Sequence, residues 1–472
     1  MSDFPFHLRR LAMSHFLEML LRYKAWRAAR AERANPPAEK PAPVDRPRVP
    51  EDFRPLEDAC FQNPYAFYKM LRDDYPVYQL ANGIYCISRY EDIVNVARDT
   101  DRFSSKHQGA MLRLQPWQSI AELSDKLDAL GDRGVLPSGV LATADPPEHR
   151  RDRKIGQSVL NPSVIKSLEG EVESLAREMM NEFLSGGKVE FMNQFAWRLP
   201  MRLVIRILGL PEEDLPTVKR GCMSAISLLS GSATRAELLQ TAAVSQGFFR
   251  YCWRDYLKAK RQPGDHLVAR FAAAAADPTN DFTDQHAVSA MHQLLIAGSD
   301  SSATTMGNAV KMMLENPEIE RQLRDDPEMI PAFVEEVLRL DSAFQGHFRW
   351  TKTDCELHGV PLPQGSRIFL MWASGNRDER FWDNPETIEI GRKNGRKHLT
   401  FGHGVHGCLG RELARMEIRI VLRELLARTR KLRIVGDAPF IASMFARTLV
   451  QLPLEFSVAE ERARRDNIEQ AA

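Results

Sequence analysis

One cysteine, Cys408, stands in the stretch Phe401-Gly402-His403-Gly404-Val405-His406-Gly407-Cys408-Leu409-Gly410, where four glycines strip the loop of side-chain bulk. A backbone so bare lets a large, flat group approach it closely. The segment that follows, Arg411 to Arg428, has the apolar spacing of a helix. Cys408 therefore falls near a helix N-terminus, where unpaired N–H groups and the helix dipole favour a thiolate. A buried cysteine in a glycine-rich turn is the ordinary alternative. A second cluster, Asp300-Ser301-Ser302, follows Gly298 inside the long apolar stretch 283–315. Mid-helix glycine costs about 1 kcal/mol relative to alanine, and serine can satisfy itself by bonding to the preceding turn. A buried aspartate needs a stronger reason, and an acid beside a hydroxyl is a pair that can move protons. Glu336 and Arg339 stand three apart and so share a helix face.

Helices dominate the elements that must position these groups. Helical spacing is expected over Pro64–Asp73, Arg89–Asp99, Thr283–Glu315, Pro317–Asp325 and Ile330–Leu340, with several further helices across 140–270. Tyr75–Leu80 and Gly83–Ser88 predict a hairpin turned at Asn82-Gly83. The stretch 283–315 is expected as one continuous helix through the centre of the protein. The pattern predicts a mainly α protein with small β-sheets, one domain over 51–472, preceded by an extension over 1–50. That extension holds a basic amphipathic helix and the proline-rich linker Pro36–Pro50. Leu11, Phe16, Leu17, Leu20 and Leu21 recur at helical spacing among Arg9, Arg10, Arg22, Lys24 and Arg27. Such a helix either lies on a membrane surface or packs on the body as an extra element.

With 64 basic and 63 acidic residues the net charge is +1, which gives no case for nucleic acid by bulk attraction. Six scattered cysteines suggest neither a disulfide framework nor a zinc site, so a reducing, cytoplasmic compartment is expected. No apolar run is long enough to span a bilayer, and no secretory signal is recognisable.

The decapeptide 401–410 resembles the haem-binding loop of the cytochrome P450 family, with Cys408 in the place of the axial thiolate. Ala297-Gly298-Ser299-Asp300-Ser301 resembles that family's oxygen-activation motif, and Glu336-Val337-Leu338-Arg339 its Glu-x-x-Arg pair. Asn376-Arg377-Asp378 looks like a marker of bacterial members, while His149 and Arg153 fit the helix beside the haem. The resemblance runs from about residue 58 to the carboxyl end.

It implies the P450 fold, a haem b cofactor and a monooxygenase that inserts one atom of O2 into a hydrophobic small molecule. His149, Arg153, Arg349 and His398 are then expected around the haem propionates, with Phe401, Gly402, Gly410, Ala297 and Gly298 against the ring. Asp300 and Ser301 become the proton-delivery pair, although the usual family residue at 301 is threonine. Arg377 or Arg380 would add a third charge to Glu336 and Arg339. Substrate contacts are expected from Met111, Met223, Leu294, Phe344, His347, Phe348, Met444 and Phe445. Electrons would come indirectly from NAD(P)H through a ferredoxin reductase and a small ferredoxin. A basic patch of Arg392, Lys393, Arg396, Lys397, Arg411 and Arg415 would receive the ferredoxin on a monomeric enzyme. Desaturation or coupling chemistry, a peroxide-driven peroxygenase and a non-catalytic haem sensor remain as alternatives.

Overall fold

The computed structural model describes residues 4–34, 47–108, 120–132 and 141–459 except 263 and 265. The proline-rich linker falls largely outside them. A five-stranded sheet joins β1 (Val77–Gln79), β2 (Ile84–Ile87), β3 (Phe103–Ser104), β4 (His347–Thr351) and β5 (Arg367–Leu370) in the order β1-β2-β5-β4-β3. β1 and β2 form the expected hairpin, and Gly83 takes the left-handed conformation that its turn requires. β5 runs parallel to β2 and antiparallel to β4, so two distant parts of the chain share one sheet.

The helices that build the site are α1 (Phe4–Ala34), α2 (Glu148–Val159), α3 (Leu215–Ser227), α4 (Arg235–Arg261), α5 (Asp284–Ala297), α6 (Asp300–Leu314), α7 (Ile330–Leu340) and α8 (Arg411–Arg428). α4 and α5 start at capping boxes: Thr234 caps the Glu237 N–H and Thr283 the His286 N–H. α8 buries Leu413, Met416 and Ile420 at intervals of three and four, the stripe of a core-facing helix. That stripe packs against α6 and α7.

The stretch 283–315 is two helices rather than one. Gly298 and Ser299 interrupt it, and the ladder resumes where the Ala303 N–H reaches the Ser299 carbonyl at 3.4 Å. Hydroxyls take over part of the lost bonding, Ser299 Oγ donating to the Leu295 carbonyl at 2.7 Å and Ser301 Oγ to that of Ala297 at 3.1 Å. Short polar side chains compete with the backbone in this way, and glycine resists nothing. A Cβ on Gly298 would stand 2.7 Å from Val204 Cγ2, so only glycine fits there.

The floor of the same region hangs on α7. Arg339 donates twice to Glu336, at 2.8 Å each, and also to the carbonyls of Asn376, Pro385 and Thr387. The third charge comes from neither Arg377 nor Arg380. Arg392 supplies it, donating to Glu336 Oε1 at 3.2 Å. Arg377 pairs with Glu386 and lies 3.5 Å over the Tyr65 ring, and Arg380 bonds to Asp378. A buried ion pair that loses one partner strands the other. E336A should therefore lose about 3–5 kcal/mol in urea denaturation. R392A should lose clearly less, because Glu336 keeps Arg339; equal losses would show that the two arginines are not ranked in this way.

Candidate functional site

Between α5, α6, α8 and the loop 400–410 lies a cavity of about 250 Å³. Cys408 opens onto it, half-buried, with its N–H donating to the Phe401 carbonyl at 2.7 Å. Burial pushes the thiol above its ordinary value, offset in part by the Gly410 N–H and by Arg411, Arg153 and Arg415. The helix start alone does not win against desolvation, so a thiolate here needs a cation bound to the sulfur. Gly402 and Gly410 line the same wall. A Cβ on Gly410 would meet nothing within 4 Å, and its φ of −88° makes no demand for glycine. The residue leaves flat space open to whatever occupies the cavity.

Around this loop is a group of buried nitrogen bases, on two of which, His149 and Arg349, the Asp145 carboxylate acts. His149 on α2 is buried with both ring nitrogens unpartnered, and its ring centroid lies 4.4 Å from that of His406. His406 donates from Nδ1 to the Leu141 carbonyl at 2.9 Å, leaving its buried Nε2 unpartnered. Burial lowers His149 to about 4 and His406 to about 3, and it lowers Arg349 to about 10. In the neutral rings the free Nε2 of His406 is an acceptor and His149 carries one of each; all become donors when protonated, the form that a carboxylate beside them would favour. A flat macrocycle carrying carboxylates, with a metal for the sulfur, fits both the bare wall and these groups. Arg153 is half-buried, and the Cys408 sulfur acts on its charge.

His398 is not part of that group. Its Nδ1 accepts from the Thr400 N–H and its Nε2 bonds Glu335 at 3.2 Å, so the ring is already saturated. His406, absent from the expected set, stands beside His149 instead. The signal was present two residues before Cys408, in the same decapeptide.

The opposite wall carries the acids and hydroxyls. Ala297, Gly298, Ser301, Ser302, Thr305 and Glu417 line the cavity. Asp300 is buried behind them with Oδ2 unpartnered, and burial raises its carboxyl to about 7. Ser302 Oγ donates to Glu417 Oε2 at 2.6 Å. The other oxygen of Glu417 has no partner, and burial raises that carboxyl to about 8. Glu417 is a site residue that the sequence reading passed over. A carboxylate on the buried stripe of α8, beside Leu413 and Ile420, was its visible mark.

Of the expected substrate contacts, Leu294, Phe344 and His347 line the cavity. His347 Nδ1 accepts from Trp372 Nε1 at 2.8 Å, which holds the ring in place. Phe445 backs this wall, stacked 4.5 Å from Phe344. Three residues fall elsewhere. Met223 is 45% exposed on the outer face of α3, whose inner face is taken by Cys222 and Ile226. Phe348 is fully buried against Phe369, because strand alternation sends it to the other side of the sheet from His347. Met444 lines a separate small void beside Phe53 and Tyr68. Met111 lies outside the described residues. The basic patch also shrinks: Arg392 is buried on Glu336, and Arg415 and Arg396 pair with Glu335 and Glu412. Lys393, Lys397 and Arg411 stay exposed.

The family model for cytochrome P450 matches residues 250–431. Cytochrome P450 144 of Mycobacterium tuberculosis is 31% identical over 397 residues, covering 83% of this chain and 89% of that protein. The erythromycin C-12 hydroxylase of Saccharopolyspora erythraea is 31% identical over 370 residues, covering 78% and 87%. Among solved structures, cytochrome P450 CREJ with (4-ethylphenyl) dihydrogen phosphate superposes with a TM-score of 0.78 at 28% identity, over 87% of this chain and all of that one. The haem domain of CYP116B5 from Acinetobacter radioresistens gives 0.78 at 26% identity, over 86% and 98%.

Asp300 and Glu417 make stability depend on pH. An unfolded chain releases these protons near the ordinary carboxylate values of 3.8 and 4.5, whereas the folded chain holds them to about 7 and 8. Unfolding therefore releases protons in that window, and stability falls as pH rises through it. E417Q keeps the shape and removes one of the two protons. In the cofactor-free protein its urea midpoint should decline less than wild type between about pH 5 and 8. A constant offset between the two curves would show that the buried carboxyl does not titrate there.

Proposed function

The chain belongs to the cytochrome P450 family, and from that premise we propose that it inserts one atom of O2 into a hydrophobic small molecule, with Cys408 as the residue whose sulfur would hold its haem b. The observation that carries this reading is the cavity itself: among the described residues Cys408 is the only sulfur on its wall, which it shares with His406, backed by the buried His149, and with the hydroxyl and acid groups Ser301, Ser302 and Glu417. When bound, haem supplies dioxygen and one-electron chemistry that no side chain can perform. The rest falls to this chain's own residues.

His149, His406, Arg153 and Arg349 would hold the propionates, and a carboxylate there would raise the depressed histidines toward protonation. Bare Gly402 and Gly410 would let the ring lie against the backbone. Reduction of O2 consumes protons, which a closed apolar site must receive by an ordered route. Ser301 presents its hydroxyl to the cavity while its proton is held by the Ala297 carbonyl, leaving its lone pairs to accept from a water. Asp300 stands behind it as a carboxyl that is partly neutral near pH 7. Ser302 and Glu417 form a second hydroxyl–acid pair on the same wall, so the usual family pair has a neighbour of the same chemistry.

The apolar walls, Leu294, Phe344, Leu208 and Ile207 among them, suit an apolar substrate, and the hydroxylase among the relatives supports hydroxylation as the reaction. Electrons from NAD(P)H would arrive through a ferredoxin reductase and a small ferredoxin docking on the side of Lys393, Lys397 and Arg411.

The test begins with a spectral-shift screen of steroids, terpenoids, fatty acids and aromatics on haem-loaded protein. Turnover of a hit is then compared under NADH with ferredoxin and its reductase, and under hydrogen peroxide alone. Product only with the reductase chain is expected; efficient product from peroxide alone would make the protein a peroxygenase. S301A should keep haem and substrate binding yet divert a larger share of the NADH into peroxide. Unchanged coupling in S301A, together with its loss in E417Q, would move proton delivery to the Ser302–Glu417 pair.

A further inference from the structure

The helix α1 presents two different faces. One is fastened to α4: Ser14 accepts from Gln246 Nε2 at 2.8 Å, Glu18 is paired with Arg250, and Ala25 is buried. Phe16, Met19, Tyr23 and Trp26 recur at intervals of three and four and share a sector about 80° wide, opposite that face. Their exposures are 70%, 55%, 55% and 58%. Tyr23 and Trp26 stack with centroids 6.2 Å apart, which keeps the stripe assembled in water. Soluble proteins seldom leave so many large apolar side chains exposed in one row.

The charge around the stripe decides what covers it. Lys24, Arg27 and Arg30 are exposed beside it, and Arg22 flanks the packed face. The only acid between Ala12 and Arg30 is Glu18, which is turned inward beneath Arg250 and Arg22. A second copy docking through this face by two-fold symmetry would bring these cations against themselves. No described helix is long and apolar enough to cross a membrane, so α1 can lie on a surface but not span one. Aromatic rings and methionine at the level of cationic side chains are the composition of a helix seated at an anionic lipid interface.

We propose that α1 docks the protein on the surface of an anionic lipid bilayer, inserting Phe16, Met19, Tyr23 and Trp26 while Lys24, Arg27 and Arg30 meet the headgroups. Because α1 is bonded to α4, the body of the protein is held against the bilayer in a fixed orientation. A hydrophobic substrate dissolved in that bilayer would then be concentrated beside the protein.

The experiment is co-sedimentation of the haem-loaded full chain with vesicles of phosphatidylcholine alone, or of phosphatidylcholine mixed with phosphatidylglycerol. Wild type should sediment with the mixed vesicles, weakly with the neutral ones, and less as salt is raised. F16S/W26S changes only exposed side chains, so it should keep its absorption spectrum and melting temperature while binding the mixed vesicles about tenfold more weakly. Failure of wild type to sediment with either vesicle, or equal binding by the double variant, would overturn the proposal. So would a wild-type dimer in sedimentation velocity that F16S/W26S abolishes, since the stripe would then belong to a second copy.

Discussion

A buried carboxylate held by two guanidinium groups organises the lower half of this protein. Glu336 accepts from Arg339, from Arg392 and from the Glu389 N–H, which joins a helix to a stretch of chain with little regular structure of its own. Arg339 extends the same anchor to three carbonyls between Asn376 and Thr387. Asn376 then passes it on, accepting from the Leu399 N–H and donating to Ser342 and Thr400. The loop that ends in Cys408 begins at Thr400. Its position is thus inherited, bond by bond, from an ion pair that never touches the cavity. Charges so deeply desolvated are worth little net stability when complete and cost much when broken. They make the loop's path all-or-none.

Above that floor the cavity is electrically divided. His406 lines one side, with His149 and Arg349 close behind it, and burial disfavours the charged forms of all three. The other gathers Asp300 and Glu417, whose burial disfavours theirs. Among the described residues no ion pair joins the two sets, and both keep buried polar atoms without a partner. The interrupted helix makes the second side possible. Between α5 and α6 the backbone ladder is interrupted, and the hydroxyls of Ser299 and Ser301 bond two of the carbonyls it leaves.

Much of this is legible in the sequence. The helices 330–340 and 411–428, the hairpin at Asn82-Gly83 and the cysteine loop follow from local signals: apolar spacing, a turn dipeptide, glycine density. The errors share a cause as well. His398, Arg377, Arg392 and Arg415 are polar residues whose roles depend on which distant partner reaches them first, and nothing in the local sequence names that partner. Phe348 and Met223 were misplaced because residue type does not tell a pocket wall from a core or an outer face. The break at Gly298 is legible as a conflict between glycine, serine and an apolar run, which apolar spacing alone continues into a single helix. Glu417 was legible in the same way, as a carboxylate on a buried stripe.

The central claim is that Cys408 supplies the sulfur ligand of the haem. The ferrous carbon monoxide spectrum of haem-loaded protein, recorded for wild type and for C408S, tests it most directly. The red-shifted Soret band of thiolate ligation in wild type, absent from C408S, is the expected result. A histidine-type band in freshly folded wild type, or a thiolate band that survives in C408S, would contradict it.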